Sequence, residues 1–89
     1  MIPQTDGWLR EVAAIPRASG AQLIADEVMT GCKRTSAKLL ASQSQGVTPD
    51  FAAIARGLTG GYRPMAATLT THPVFDAFLG RYEEFKTFF

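Results

Sequence analysis

The chain has 89 residues, 46% of them hydrophobic and 19% charged, with a formal net charge of +1. This allows at most one small domain with a thin stability margin, and it is too apolar a composition for a disordered chain. The nine lysines and arginines are scattered, with no run longer than Lys33-Arg34, so the concentrated basic face that a nucleic acid needs is missing. The single cysteine, Cys32, excludes an intrachain disulfide and points to a reducing, cytoplasmic setting. One histidine and one cysteine leave little from which to build a zinc site. A Ser-His-Asp site would have to use His72, which stands before Pro73 and reads better as a helix start. No apolar run approaches the ~20 residues of a membrane helix, and the start "MIPQTDGWLR" lacks the basic and apolar pattern of a secretory signal.

In chain order, "TDGWLREVAAIPRASG" reads as a helix capped by Thr5 or Asp6, whose side-chain oxygens can accept from the first free N–H groups. Trp8, Leu9, Val12 and Ile15 form one apolar stripe. Pro16 removes a hydrogen bond to Val12 and should kink or shorten the last turn, and Gly20 suits a left-handed cap. "QLIADEV" follows as a short buried strand over Leu23, Ile24 and Ala25, with Asp26 at its carboxyl end. The ligands of open α/β sheets gather at that end. Ser36 to Ser44 reads as a short helix with Leu39 and Leu40 inward, and "VTPD" as a turn. "FAAIA" is a second short strand with Arg56 just beyond it. "MAATLTT" is a third, rich in β-branched threonines. "THPVFDAFLG" reads as a helix with Thr71 or His72 as cap, Pro73 in the first turn and Gly80 as stop. Helix, strand, helix and strand in succession give an α/β order. Three short strands leave unpaired edges, so the chain reads as part of a larger sheet, marginal in stability on its own.

The candidate residues each have an ordinary reading. Asp26 can face water or cap the next turn, or it can hold a positive group at the ligand end of the sheet. Arg56 can be a surface charge or an anion holder; it stays protonated and is a poor nucleophile. Gly57, Gly60 and Gly61 indicate a turn, with a phosphate cradle as the alternative, although the Gly-Lys-Ser/Thr ending of the Walker pattern is absent. Cys32 reads as a small inert thiol, although Lys33 and Arg34 lie beside it. Glu83 and Glu84 read as a solvated pair.

Taken together, "LIADEVMTG", then "RTS", then "GVTPDFAAIARGLTGGYRPMAATLTT" closely resemble the large domain of the class III, pyridoxal-phosphate-dependent aminotransferases. "GLTGG" followed by "AATLTT" is the narrower signature and resembles the branch of that family that serves biotin synthesis. The resemblance covers nearly all of the chain. It implies an α/β fold that is a partial slice, 1–89, of the large cofactor-binding domain of a fold-type I transferase. It also implies transfer of an amino group from S-adenosylmethionine to 8-amino-7-oxononanoate, and assembly as a homodimer.

The resemblance gives two residues roles. Asp26 matches the aspartate that pairs with the pyridine nitrogen of pyridoxal 5'-phosphate, keeping the ring an electron sink. Arg56 matches the lysine that forms the Schiff base, in a motif that ordinarily reads Lys-Gly-Leu-Thr-Gly-Gly. A guanidinium keeps the charge and can meet a phosphate or phenolate, but it does not form the imine or act as a base near neutral pH. A second departure lies in "GCKRTS". Here the family pattern reads Gly-Phe-Gly-Arg-Thr-Gly, so Cys32 replaces an aromatic and Lys33 and Ser36 replace glycines. By the same resemblance, the phosphate-binding Gly-Ser turn and the ring-stacking aromatic fall before Met1, and the threonine that reaches a neighbouring subunit's phosphate falls after Phe89. The isolated slice is therefore expected to be inactive. The alternative is a non-catalytic remnant that docks on a full-length subunit.

Overall fold

The computed structural model describes residues 2–79, with the elements α1 (Trp8–Ser19), β1 (Ile24–Asp26), α2 (Ala41–Ser44), β2 (Phe51–Ile54), β3 (Ala67–Thr70) and α3 (His72–Phe78). The helix stop expected at Gly80 and the pair Glu83 and Glu84 lie outside the described residues.

The three strands form one sheet in the order β1-β2-β3. β1 and β2 run parallel, pairing Ile24 with Phe51, Ala25 with Ala52 and Asp26 with Ala53. A parallel pair requires a long crossover, here residues 27–50 with α2 inside it. β3 returns antiparallel to β2, from Ile54–Ala67 to Phe51–Thr70. The segment joining them, residues 55–66, is far longer than the two to five residues that close a tight hairpin.

Asp50 ties the opposite end of this sheet together. Its carboxylate accepts from Leu23 N at 2.8 Å, its amide donates to Leu23 O at 2.9 Å, and its carbonyl accepts from Thr71 N and Thr70 Oγ1 at 3.2 and 3.0 Å. One residue thus fixes the start of β1, the start of β2 and the end of β3. The register that positions the far end of the sheet rests on it.

The core is small. Leu40, Ala52 and Ile54 cluster, with Cys32 and Ala67 packed against them. Ala52 and Ile54 are buried and Phe51 and Ala53 are half-buried, the period of two that a strand imposes. Cys32 is therefore a half-buried packing residue. Apolar side chains left in the open include Ile24, which is 71% exposed, together with Trp8, Ile15, Leu69 and Phe75. The expected burial of β1 is overturned at Ile24, because β1 is an edge strand with nothing described on its outer side.

One cap and one helix length differ from the sequence-based expectation. α1 begins at Gly7, which adopts φ 86° with no side-chain cap; its amide donates to Gln45 Oε1 at 3.1 Å. Thr5 and Asp6 do not cap it, because the glycine turns the chain left-handed where their side chains would have had to reach. Pro16 is accommodated within α1, which runs on to Ser19. Gly20, at φ 72°, closes it as expected, and Ala21 N donates to Pro16 O at 2.9 Å. The helix expected over Ser36–Ser44 is only the four residues of α2. Leu40 is buried as expected, but Leu39 is exposed.

Candidate functional site

Asp26 is the last residue of β1, and Arg56 lies two residues beyond the end of β2. Because the strands are parallel and in register, both leave the sheet at the same end. The ladder runs one step further, with Glu27 N donating to Ala53 O at 2.9 Å. Asp26 is exposed, and its Oδ1 accepts from Val28 N at 3.0 Å. This local turn fixes the carboxylate, while Oδ2 accepts from no described residue. Beside Asp26 lies a hollow of about 520 Å³ between α1 and the crossover, with Trp8, Val12 and Ser42 among its walls. Arg56 is exposed and lines a different hollow, of about 370 Å³, with Thr59, Gly61 and Arg63. The fold therefore brings the two predicted residues to one sheet end without joining them in one cavity.

Next to Asp26 stands Glu27, a residue not singled out from sequence, which lines the same hollow. It is only 3% exposed. Oε1 accepts from Ser42 N at 2.7 Å; Oε2 accepts from Ala41 N at 2.9 Å and from Thr30 Oγ1 at 2.6 Å. These two amides are the first free N–H groups of α2, whose own cap residue, Leu40, has no side-chain acceptor. Gln43 completes the arrangement by accepting from Leu40 N at 3.2 Å. Burial alone would push the Glu27 carboxyl pKa up, but the hydrogen bonds from Thr30, Ser42 and Ala41 together outweigh it and hold the pKa below the ordinary value. The signal in the sequence was the strand period: Asp26 and Glu27 are consecutive, so they leave on opposite faces. One points to solvent and the other inward.

The loop after Glu27 is tightly fitted. A Cβ on Gly31 would sit 2.8 Å from Glu27 O, and one on Gly57 would overlap the Cys32 Cβ. Gly57 thus lets the segment after Arg56 pass against Cys32. Cys32 and Lys33 themselves adopt φ 61° and 62°, a left-handed conformation that favours glycine. Ser36, the other position where the resemblance implied a glycine, is not in that region.

The class-III aminotransferase family matches residues 1–88. This chain belongs to that family. It is 48% identical over its whole length to the adenosylmethionine-8-amino-7-oxononanoate aminotransferase of Geobacter sulfurreducens, of which it covers 19%. The crystal structure of the protein of that name from Methanocaldococcus jannaschii superposes with a TM-score of 0.84 at 38% identity, over 100% of this chain and 21% of that one. The taurine:2-oxoglutarate aminotransferase of Bifidobacterium kashiwanohense, solved in complex with PLP and glutamate, superposes with a TM-score of 0.80 at 35% identity, over 86% of this chain and 17% of that one. The aminotransferase segment described here spans about a fifth of the length of the relatives it matches. The α/β slice expected from the sequence is what the structure contains. Among the described residues no helix is long and apolar enough to cross a membrane.

The donor set fits the family's cofactor at one residue and not at the other. A fixed, exposed carboxylate at a strand end suits a protonated ring nitrogen. A guanidinium at position 56 does not suit an aldehyde, since it has no free amine to add to it. No covalent step follows from these residues as they stand.

Proposed function

We propose that this chain is the segment of a biotin-pathway aminotransferase that carries the partner of the cofactor's ring nitrogen, Asp26, and the position of its covalent anchor, Arg56. On this reading the complete homodimeric, cytoplasmic enzyme moves an amino group from S-adenosylmethionine to 8-amino-7-oxononanoate. The product is 7,8-diaminononanoate. The observation that carries the reading is the parallel register that delivers both residues to one end of adjacent strands. Pyridoxal phosphate, when bound, supplies an electron sink for charge formed at the substrate carbon. Asp26 would hold the proton on the ring nitrogen, its carboxylate already turned by the Val28 amide. Arg56 supplies charge but no bond, so the chain is inactive as it stands. A second reading, a non-catalytic remnant docking on a full-length subunit, draws on the same arginine and on the left-handed Lys33.

A borohydride trap tests the first reading. The chain and its Arg56→Lys variant are incubated with pyridoxal phosphate, reduced and mapped by mass spectrometry, with denatured chain as control. The expected result is selective labelling of the introduced lysine, against weak labelling at Lys33, Lys38 or Lys86 in the native chain. Equal labelling of the introduced lysine before and after denaturation would sink the cofactor reading. Formation of a mixed dimer with full-length enzyme, without selective labelling, would support the docking remnant.

A further inference from the structure

We propose that Arg56 and Arg63 form a binding site for a phosphate dianion in the loop between β2 and β3. Both arginines line the same hollow of about 370 Å³, with Thr59 and Gly61 between them. Neither guanidinium makes an ion pair or a hydrogen bond with a described residue. Arg10 shows the contrast, because its Nε and Nη2 both donate to Gln45 O and so belong to the fold. The two loop arginines carry charge that the described fold does not use.

The loop holds them in place. Leu58 N donates to Ala55 O at 2.9 Å and Tyr62 N to Thr59 O at 3.1 Å, making two successive turns. Thr59 Oγ1 then donates to Arg63 O at 2.7 Å and accepts from Arg63 N at 3.2 Å. This double tie fixes the backbone of Arg63 relative to the turn that follows Arg56. Gly60 and Gly61 adopt φ 62° and 88°, with nothing within 4 Å of where a Cβ would stand. Their amides donate to no described residue, and Gly61 lines the hollow. A preformed loop loses little freedom on binding.

The chemistry selects the ligand class. Each guanidinium is a planar fork that meets two oxygens at once. Two forks bring two positive charges, which a phosphate dianion neutralises; its four oxygens match two forks, and their further lone pairs can also accept from the glycine amides. A carboxylate carries one charge and two oxygens, enough for one fork only. The site needs no aldehyde but shares Arg56 with the cofactor reading; Arg56→Lys separates the two, since it should gain the covalent label and weaken phosphate binding.

The test is titration of the 89-residue chain, kept folded with trimethylamine N-oxide and checked by circular dichroism, with inorganic phosphate at pH 8 and low salt, followed by calorimetry and by the amide NMR signals of Gly60 and Gly61. Saturable one-to-one binding is expected, with those two amides shifting. Arg56→Ala and Arg63→Ala should each weaken it at least tenfold, and Arg56→Lys by about threefold, since lysine keeps the charge without the fork. Arg17→Ala, on the exposed side of α1, should leave it unchanged. Acetate should bind at least tenfold more weakly. Methyl phosphate binding as well as phosphate would identify a phosphoryl ester as the source; a marked preference for the free ion would identify inorganic phosphate. The proposal is overturned by absent saturation, by acetate matching phosphate, or by Arg17→Ala weakening binding as much as the loop variants.

Discussion

Glu27 follows β1 and Arg56 follows β2 at the same end of the sheet, yet their charges are treated differently. Glu27 is buried, and its two oxygens take three donors from Thr30, Ala41 and Ser42. Arg56 and its loop neighbour Arg63 are exposed and bond to no described side chain. The acid has become part of the scaffold, bridging the end of β1 to a helix that cannot cap itself. The arginines are held by backbone turns but left unused by the fold. A charge whose hydrogen bonds are complete serves stability; a held charge with none is available to a ligand.

The largest effect should come from the scaffold side. Glu27→Ala strands three donors in a buried place and leaves the first turn of α2 uncapped, which should cost about 3 kcal/mol. Urea unfolding followed by circular dichroism measures it, with trimethylamine N-oxide present to keep the small chain folded. A loss under about 1 kcal/mol would mean that the carboxylate is not what joins α2 to β1. Substitution at Arg56, by the same measurement, should change stability little, since surface changes usually stay within about 0.5 kcal/mol.

Acid should separate the two regions next. The Glu27 carboxyl titrates lower in the folded chain than in the unfolded one, so the unfolded state binds the proton more readily. Its contribution is therefore fully present above the unfolded pKa of about 4.3 and is lost as the pH falls through the lower folded value. A midpoint that drops in acid for the native chain, and drops less for Glu27→Gln, is the expected pattern. Identical acid profiles would show that some other carboxyl sets the acid limit.

The strands were legible from the sequence because each is a short apolar run closed by turn-forming residues, and strand ends located Asp26 and Arg56. The crossover was less legible. The segment from Gly31 to Leu40 depends on Glu27, whose partners lie up to 15 residues away, and local propensity does not record such bonds. The cap at Gly7 was missed for a similar reason, because its amide is satisfied by Gln45, 38 residues on. Ile24 was read as buried from its apolar neighbours, yet a strand's exposure depends on what lies beside it in the sheet. Arg63 was missed because it is the turns of the loop, not a recognisable spacing, that bring it to the hollow that Arg56 also lines.

The smallest effect concerns the two positions where the resemblance implied glycine. Lys33 sits at φ 62°, where a side chain costs about 1–2 kcal/mol. Lys33→Gly removes that strain but gives the unfolded chain about 0.4–1 kcal/mol more freedom. A net gain of about 0.5–1 kcal/mol is expected. Ser36 pays no such strain, and its hydroxyl donates to Lys38 O at 3.2 Å. Ser36→Gly should therefore lose a few tenths of a kcal/mol, on the order of the entropy alone. Opposite signs at the two positions, read from urea midpoints, would show that one departure from the family's glycines strains the scaffold while the other is absorbed. Gains at both would mean that the whole loop is strained and that the brace at Glu27 holds it against its own preference.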